Sequence, residues 1–370
     1  MRFVRDVQQI APYVPGTPIE KVMQMHGLEY VVKLASNEFP LPPFDEVKAA
    51  IASALDDVNR YPDGDSEELR AVLAARYDRP VEQIAVGNGS DELLTLLGDV
   101  LLERGDQMVF ADPSFMMYPI VAMRRGAEML RVPLRDDFSH DLGAMAAAVG
   151  PRTKVVIICN PNNPTGNYLP AADIAAFVDS VPDDVLVVVD EAYNEFVAEA
   201  DWQDTLVLQA ERPNVCLLRT FSKIYGLAGL RCGYALCSAE VREALDKARG
   251  PFNVNRLAQV AARTALECQE QMMDRRRWSL ELRSYMQEAL ERMGHRVVPS
   301  QTNFLLVNVE NLQVPAAHVC DALMSRGVIV RDGQGLGCPG WIRVTVGTRE
   351  EVDFFIDRLR SLERDHSRGA

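Results

Sequence analysis

Short apolar runs recur through the first two thirds of the chain, separated by stretches with helical periodicity. The runs are rich in β-branched residues and apolar at consecutive positions, which is typical of strands buried on both faces of a parallel sheet. They are IAVG (84–87), QMVFAD (107–112), KVVIICN (154–160), VLVVVDE (185–191) and VCLLRT (215–220). The pattern therefore predicts a large α/β domain in which helices cover a parallel sheet.

The last third of the chain has a different pattern. From Arg256 to Met293 it contains neither Gly nor Pro, so we expect a long helix, straight or kinked, that connects two lobes. Apolar runs at 303–309, 327–332 and 341–347, with a helical stretch at 349–364, predict a smaller α/β lobe. The predicted division is an N-terminal arm that packs with the small domain (1–30), a large domain (31–255), and a linking helix with the small domain (256–370).

Composition narrows the class of protein. The 370 residues are 48% apolar, and the net charge of −14 argues against a general nucleic-acid-binding surface. The seven scattered cysteines contain no CxxC pair, which favours free thiols in a reducing compartment. The first residues lack the apolar segment of a signal peptide, and no apolar run is long enough to span a membrane. We therefore expect a cytoplasmic protein that binds neither nucleic acid nor membranes.

Polar residues follow several of the predicted strands. Asp190 ends one strand, the turn NPNNPTG follows a second, GNGSDE follows a third, and Lys223 lies shortly after a fourth. Ligands of parallel α/β sheets bind beyond the carboxyl ends of the strands. We therefore expect a single crevice to collect these residues.

The segment GNGSDE has two interpretations. A glycine-rich turn that leads into a helix presents backbone N–H groups to an anion such as phosphate. On spacing alone, an ordinary helix start with Ser90 or Asp91 as its N-cap is the other interpretation. A dinucleotide-binding GxGxxG motif is excluded, because Glu92 occupies the position of the third glycine.

Lys223 lies in RTFSKIYGLAGLRCGY, a segment that is mostly apolar or glycine. An amine in a poorly solvated turn has a lowered pKa and can form a Schiff base, and the nearby Ser222 and Arg231 suit a phosphate ester. Taken singly, each residue has an ordinary alternative. Lys223 and Arg231 would be surface residues, Asp190 a solvated strand end, and Tyr193 a core aromatic residue.

Several segments together resemble a known family. NPNNPTG, VVVDEAY and TFSKIYGLAGLRCGY resemble, in this order, the motifs of the class II, fold-type I aminotransferases that depend on pyridoxal phosphate (PLP). APYVPGTPIEKV, KLASNE, RYPDGDSEELR, GNGSDELL and VIVRDG with WIRVTVGTREE are most similar to the histidinol-phosphate aminotransferase subfamily. The resemblance covers nearly the whole chain. It implies a mostly parallel seven-stranded sheet flanked by helices, a smaller α/β C-terminal domain, and PLP as the cofactor without a metal ion.

The resemblance also implies roles at the cofactor. Lys223 would form the Schiff base and move the proton, and Asp190 would pair with the protonated pyridine nitrogen, so that the ring withdraws electrons. Tyr193 and Asn163 would hydrogen-bond the phenolic oxygen of the ring. Phe115 would stack on the ring where the family often has tyrosine. The phosphate would be bound by Gly89, Ser90, Asp91, Ser222 and Arg231.

Further residues are assigned by the same resemblance to the dimer and the substrate. Tyr61 matches a residue that reaches across a homodimer interface to the phosphate, which implies composite active sites. Arg343 matches the arginine that binds the anionic end of the substrate, with Arg331 and Tyr13 as its helpers. Asn37 matches a residue near the substrate whose role the resemblance does not define.

The implied reaction is reversible transamination of L-histidinol phosphate with 2-oxoglutarate, which yields imidazole-acetol phosphate and L-glutamate in histidine biosynthesis. An aromatic amino-acid aminotransferase and, less readily, a threonine-phosphate decarboxylase stay open as alternatives on the sequence. An aminotransferase-like regulatory protein is not expected, because the chain has neither a preceding DNA-binding segment nor a basic patch.

Overall fold

The computed structural model describes Gln8, Ile10 and residues 16–369 of the chain. The helices are α1 (Ile19–His26), α2 (Asp45–Ala54), α3 (Glu67–Tyr77), α4 (Ser90–Leu101), α5 (Met117–Arg125), α6 (Leu142–Ala148), α7 (Ala171–Asp179), α8 (Thr205–Glu211), α9 (Ala239–Ala248), α10 (Arg256–Glu267), α11 (Gln269–Arg292), α12 (Ala316–Met324) and α13 (Arg349–Gly369). The strands are β1 (Val32–Lys33), β2 (Ile84–Gly87), β3 (Gln107–Asp112), β4 (Glu128–Pro133), β5 (Thr153–Cys159), β6 (Leu186–Asp190), β7 (Val215–Thr220), β8 (Gly233–Leu236), β9 (Phe304–Asn308), β10 (Val328–Ile329), β11 (Arg331–Asp332) and β12 (Trp341–Thr345).

The large sheet has seven strands in the order β2-β8-β7-β6-β5-β3-β4. Within it, β8 runs antiparallel to both of its neighbours, and the other pairs are parallel. The prediction of a mostly parallel seven-stranded sheet is confirmed. The apolar runs themselves predict five of these strands and miss β4 and β8.

Both faces of the large sheet are buried. On β6, Val187 and Val189 belong to a core with α2, α3, α7 and α10, whereas Leu186 and Val188 belong to a core with α4, α5 and α9. Successive side chains of a strand point to opposite faces, so covering both faces requires apolar residues at consecutive positions. This requirement explains the continuous apolar run at β6 from which the strand was predicted.

The C-terminal part forms a smaller α/β lobe, as predicted. Strands β11, β12 and β9 make an antiparallel sheet, and β10 pairs in parallel with β1. The apolar run at 327–332, predicted as one strand, is divided into β10 and β11 on either side of Val330. The division arises because the two halves pair with strands of different sheets.

The long helix predicted between Arg256 and Met293 is interrupted at Cys268, whose ψ of 47° is not helical. Its first half, α10, packs on α2 and α3, and its second half, α11, contributes Met286 and Leu290 to the core of the small lobe. The domain boundaries remain a proposal. The pairing of β1 with β10 and the packing of α10 favour moving them to just after β1 and into α11.

The described residues show the state of the cysteines and the apolar lengths of the helices. The seven cysteines are free thiols, and all but the partly exposed Cys320 are buried. Burial raises the pKa of Cys232 to about 12, so this thiol stays protonated and unreactive at neutral pH. In the part of the chain that the structure describes, no helix is long and apolar enough to cross a membrane.

Candidate active site

A cavity of about 570 Å³ lies beyond the carboxyl ends of β6 and β7, next to a second cavity of about 100 Å³. The residues that line both are Asp91, Phe115, Asn163, Tyr193, Ser222, Lys223 and Arg231. Ser90 and Asp190 line the smaller, inner cavity, whereas Asn37, Arg331 and Arg343 line the larger, outer one. The strand ends of the large sheet and the edge of the small lobe thus meet around one continuous space.

Lys223 follows β7 in a turn that Gly226 closes with a φ of +71°. The N–H of Gly226 donates to the carbonyl of Lys223 at 2.8 Å, and a positive φ is readily adopted only by glycine. Burial and, to a smaller extent, the positive charge of Arg343 lower the pKa of Lys223 to about 8. A substantial fraction of the amine is therefore neutral near pH 8, as a nucleophile or a base must be.

Asp190 ends β6 and is only 3% exposed. Its carboxylate accepts hydrogen bonds from the hydroxyl of Tyr118 at 2.8 Å and from the N–H of Ala192 at 3.3 Å. Burial raises the pKa of Asp190 to about 6, and no cationic side chain of the described residues pairs with it. A buried carboxylate of this kind is stabilised by a cation delivered into the cavity, so it fits the protonated ring nitrogen of PLP.

The N-terminus of α4 lies beside the inner cavity and is suited to bind an anion. Its N-cap is Gly89, with a φ of +84°, rather than Ser90 or Asp91. Arg231 donates to the Ser222 hydroxyl and to the Asp91 carboxylate, both at 3.3 Å. A Cβ atom on Gly89 would be strained at this φ and would lie 2.6 Å from Nη2 of Arg231, so glycine favours the close approach. Helix N–H groups, a hydroxyl and a guanidinium together fit a phosphate group.

Two arginines face each other at the outer end of the cavity. Arg331 on β11 lies directly opposite Arg343 on β12. Arg343 donates from Nη1 to Oδ1 of Asn163 at 2.6 Å and from Nη2 to the carbonyl of Ala35 at 3.0 Å. Like charges directly opposite one another on adjacent strands repel. An anionic group bound at this pair offsets the repulsion, so this end of the cavity suits a carboxylate or a phosphate.

Comparison with known proteins identifies the family. The family model described as "Aminotransferase class I and II" matches residues 29–359. The chain belongs to this family. Its fold and its site can therefore be compared with those of named aminotransferases.

The histidinol-phosphate aminotransferase of Moorella thermoacetica is 43% identical to this aminotransferase over 357 residues, which cover 96% of this chain and 92% of that protein. Histidinol-phosphate aminotransferase 2 of Ralstonia nicotianae is 44% identical over 359 residues, with 96% and 95% covered. The crystal structure of the histidinol-phosphate aminotransferase from Sinorhizobium meliloti in complex with pyridoxal-5'-phosphate has a TM-score of 0.89 and 30% identity, and covers 98% of both chains. These similarities confirm the fold-type I aminotransferase fold predicted from the motifs.

Twelve of the fifteen residues predicted for the site line the two cavities, and Gly89 lies directly beneath Arg231. Tyr61 lies elsewhere, in a groove where its ring stacks on Phe252 at a centroid distance of 4.7 Å. Its side chain is 79% exposed, so on its own chain it does not reach the cavity. Tyr13 lies outside the described residues. The roles assigned to the individual residues stay predictions.

The sequence motifs did not single out Tyr118 as a functional residue. It is fully buried on α5, and its hydroxyl contacts the carboxylate of Asp190, which is 72 positions further along the chain. Its ring also packs edge-on against Phe115 at a centroid distance of 5.7 Å. Tyr118 ends the segment DPSFMMY, but only the order of strands in the sheet brings that segment beside β6.

Proposed function

We propose that this aminotransferase transfers the amino group of L-histidinol phosphate to 2-oxoglutarate, with PLP as its cofactor, and yields imidazole-acetol phosphate and L-glutamate. The observation that carries the proposal is the opposed pair Arg331 and Arg343 at the outer end of a cavity that contains Lys223 and Asp190. The names of the relatives that are 43% and 44% identical over nearly the whole chain support the same substrate.

PLP supplies an aldehyde that condenses with amines and a protonated ring that withdraws electrons from the substrate. The residues that would hold it are the amine of Lys223, the carboxylate of Asp190, and the helix N-terminus with Ser222 and Arg231. The uncompensated carboxylate and the glycine-lined anion site described above support this fit. Phe115, whose ring lines both cavities, would pack against the cofactor ring.

Lys223 is the base of the proposed reaction. In its neutral form, Nζ accepts the proton from Cα of the substrate, and a pKa near the working pH makes both uptake and return of the proton efficient. The low exposure of Asp190 keeps water from screening its charge, so the carboxylate holds a cationic ring nitrogen firmly. Both residues line the same inner cavity.

Arg343 and Arg331 bind the anionic end of each substrate. Two substrates must use the same pocket, because one half-reaction consumes histidinol phosphate and the other consumes 2-oxoglutarate. A guanidinium donates two parallel hydrogen bonds to a phosphate as well as to a carboxylate, so one pair of arginines serves both.

The proposal includes a homodimer in the cytoplasm, in which Tyr61 completes the phosphate site of the partner subunit. Tyr61, Val58 and Phe252 are exposed around one groove, which supports burial of that face in an assembly. Light scattering at micromolar concentration tests the assembly, and Tyr61→Phe tests the contact, because loss of one hydrogen bond would weaken PLP binding about tenfold.

Steady-state kinetics with both candidate substrate classes test the proposed function. We expect kcat/KM to be higher for imidazole-acetol phosphate with glutamate than for phenylpyruvate with glutamate. A preference for phenylpyruvate would assign the protein to aromatic amino acids. Release of CO2 from threonine phosphate without consumption of an oxo-acid would assign it to the decarboxylases.

A further inference from the structure

Asn37 lies in the cavity wall and is held at its backbone from two sides. Its N–H donates to Oγ1 of Thr345 at 2.9 Å, and its carbonyl accepts from Nδ2 of Asn303 at 3.1 Å. The residue is 2% exposed and has a φ of +54°, a conformation that asparagine tolerates better than most residues. The position of Asn37 is therefore determined by its backbone, which leaves its amide side chain free for another task.

The hydroxyl of Thr345 determines which way the Asn37 amide points. Because Oγ1 of Thr345 accepts the N–H of Asn37, its own hydrogen is available to Oδ1 of Asn37, which lies 3.2 Å away. Oδ1 must then be the acceptor end of the amide. The other end, Nδ2, faces Tyr193 and donates to its phenolic oxygen at 2.9 Å.

A phenol has one hydrogen to donate. Since the oxygen of Tyr193 accepts from Asn37, its hydrogen is directed to another acceptor, and the Tyr193 side chain lines both cavities. Burial raises the pKa of Tyr193 well above its usual value, so the hydroxyl keeps that hydrogen at neutral pH. The Tyr193 hydroxyl is therefore a hydrogen-bond donor at the cavity, and the hydrogen bond from Asn37 determines its direction.

We infer that Asn37 is a positioning residue that acts through Tyr193: it makes the Tyr193 hydroxyl a donor toward the cavity. The acceptor that this donor suits is a deprotonated oxygen on an aromatic ring. The inference rests on the proposed PLP chemistry, because the cofactor carries such an oxygen. It assigns a role at the cofactor to Asn37, whose role the resemblance leaves undefined.

The pH at which bound PLP changes its visible absorbance measures the effect of this donor. A donor at the phenolic oxygen stabilises the deprotonated form of the bound cofactor, so its loss raises the midpoint. Asn37→Gly removes the amide and keeps the positive φ accessible. We expect this variant to raise the midpoint by up to about one pH unit, the shift produced when the hydrogen bond to a charged oxygen is lost completely.

A double-mutant cycle with Tyr193→Phe separates this role from packing. If Asn37 acts through Tyr193, Asn37→Gly adds no further shift to the Tyr193→Phe enzyme. The matched control is Asn303→Ala, which removes one backbone hydrogen bond of Asn37 but leaves both contacts of Asn37 with Thr345, and so the direction of its amide, in place; its midpoint should equal that of the wild type. A full shift in the Tyr193→Phe background, or an equal shift in Asn303→Ala, overturns the inference.

Asn37→Asp covers the case in which the glycine variant does not fold. The carboxylate keeps the acceptor for Thr345 but turns Tyr193 into a donor toward residue 37, away from the cavity. The midpoint should rise, and part of the rise should vanish in the Tyr193→Phe background; a rise that is the same in both backgrounds contradicts the inference.

If wild-type protein never acquires PLP absorbance, the proposed function fails, and the inference fails with it. If it titrates normally but the variants do not shift, the inference alone fails.

Discussion

The two ends of the cavity are built on different sheets and differ in the ionisable residues that they contain. At the inner end, Asp190 and Lys223 extend from buried parallel strands, and burial moves both pKa values toward the neutral form, to about 6 and about 8. At the outer end, Arg331 and Arg343 lie opposite each other on an antiparallel sheet of the small lobe. Proton transfer needs groups that change charge near neutral pH, whereas recognition of an anion needs groups that do not.

The two ends are also coupled. The charge of Arg343 is the second largest cause of the low pKa of Lys223, and Asn163 contacts Arg343 while lining the inner cavity. An anion bound to Arg343 partly cancels that charge. We therefore expect the amine of Lys223 to become more basic when the anionic end of the substrate is in place, which favours uptake of the substrate proton.

Removal of Lys223, the base at the inner end, should have the largest effect on activity. Lys223→Ala should lower kcat by about 10⁴-fold or more, because both the nucleophilic amine and the proton carrier are lost. Lys247→Ala, which removes an exposed lysine paired with Glu243, is the control and should leave kcat unchanged. Comparable turnover by the two variants in the transamination assay would contradict the assignment of Lys223.

Arg343→Lys tests the outer end without changing its charge. The ammonium cannot donate two parallel hydrogen bonds, so kcat/KM for histidinol phosphate should fall about 100-fold. The affinity of the apoenzyme for PLP should fall far less than kcat/KM, because Arg343 acts on the cofactor end only indirectly, through its charge and its hydrogen bond to Asn163. A loss of PLP affinity as large as the loss of kcat/KM would mean that the two ends are not functionally distinct.

Asp190→Asn tests how much the ionisation of the buried Asp190 reduces the free energy of unfolding when no cofactor is bound. The pKa of Asp190 is raised in the folded protein, so folded protein binds more protons than unfolded protein between about pH 4 and 6. The contribution of protonated Asp190 to the free energy of unfolding is therefore lost as the pH rises through this window. The full loss is about 3 kcal/mol, and roughly half of it occurs between pH 5 and 7.

Urea unfolding of the apoenzyme at both pH values measures this difference. The stability of Asp190→Asn relative to wild type should increase from pH 5 to pH 7 by roughly 1.5 kcal/mol. Equal differences at the two pH values would show that Asp190 does not titrate in this range.

Tyr118→Phe has the smallest expected effect and tests how far the Tyr118 hydroxyl lowers the pKa of Asp190. Loss of the hydroxyl should raise the pKa of Asp190 by about one unit, because a hydrogen bond to the ionised carboxylate is removed. The apoenzyme should then bind PLP about fivefold more weakly at pH 6 and nearly as tightly as wild type at pH 8. A deficit that is the same at both pH values would indicate lost packing and not a shifted carboxyl pKa.

The parts of the site that the sequence predicted are those fixed by local patterns. Asp190 and Lys223 follow strands that are apolar at consecutive positions, so their place at the carboxyl edge of the sheet could be expected. Strand β4 was missed because it lies at the sheet edge, where three of its six residues are charged or proline. Strand β8 was missed because it begins at Gly233, at the end of the glycine-rich segment that contains Lys223.

The parts that were not predicted depend on contacts between distant segments. Asn37 contacts Tyr193 across 156 positions of sequence. The resemblance implied that Arg331 assists Arg343, but the residues alone do not give the register of β11 and β12 that places the two opposite each other. Neither a register nor a hydrogen-bond direction can be deduced from residue types alone. The resemblance placed Asn37 near the site, but only the structure links it to a phenol.

Covalent trapping tests the central claim most directly, namely that Lys223 binds the aldehyde of PLP inside this cavity. The holoenzyme is reduced with borohydride and digested, and the peptide that carries the cofactor is located by mass spectrometry. We expect one modified lysine, Lys223, and no modified peptide from the Lys223→Ala protein. Modification of another lysine, or binding of PLP without any trapped peptide, would contradict the account.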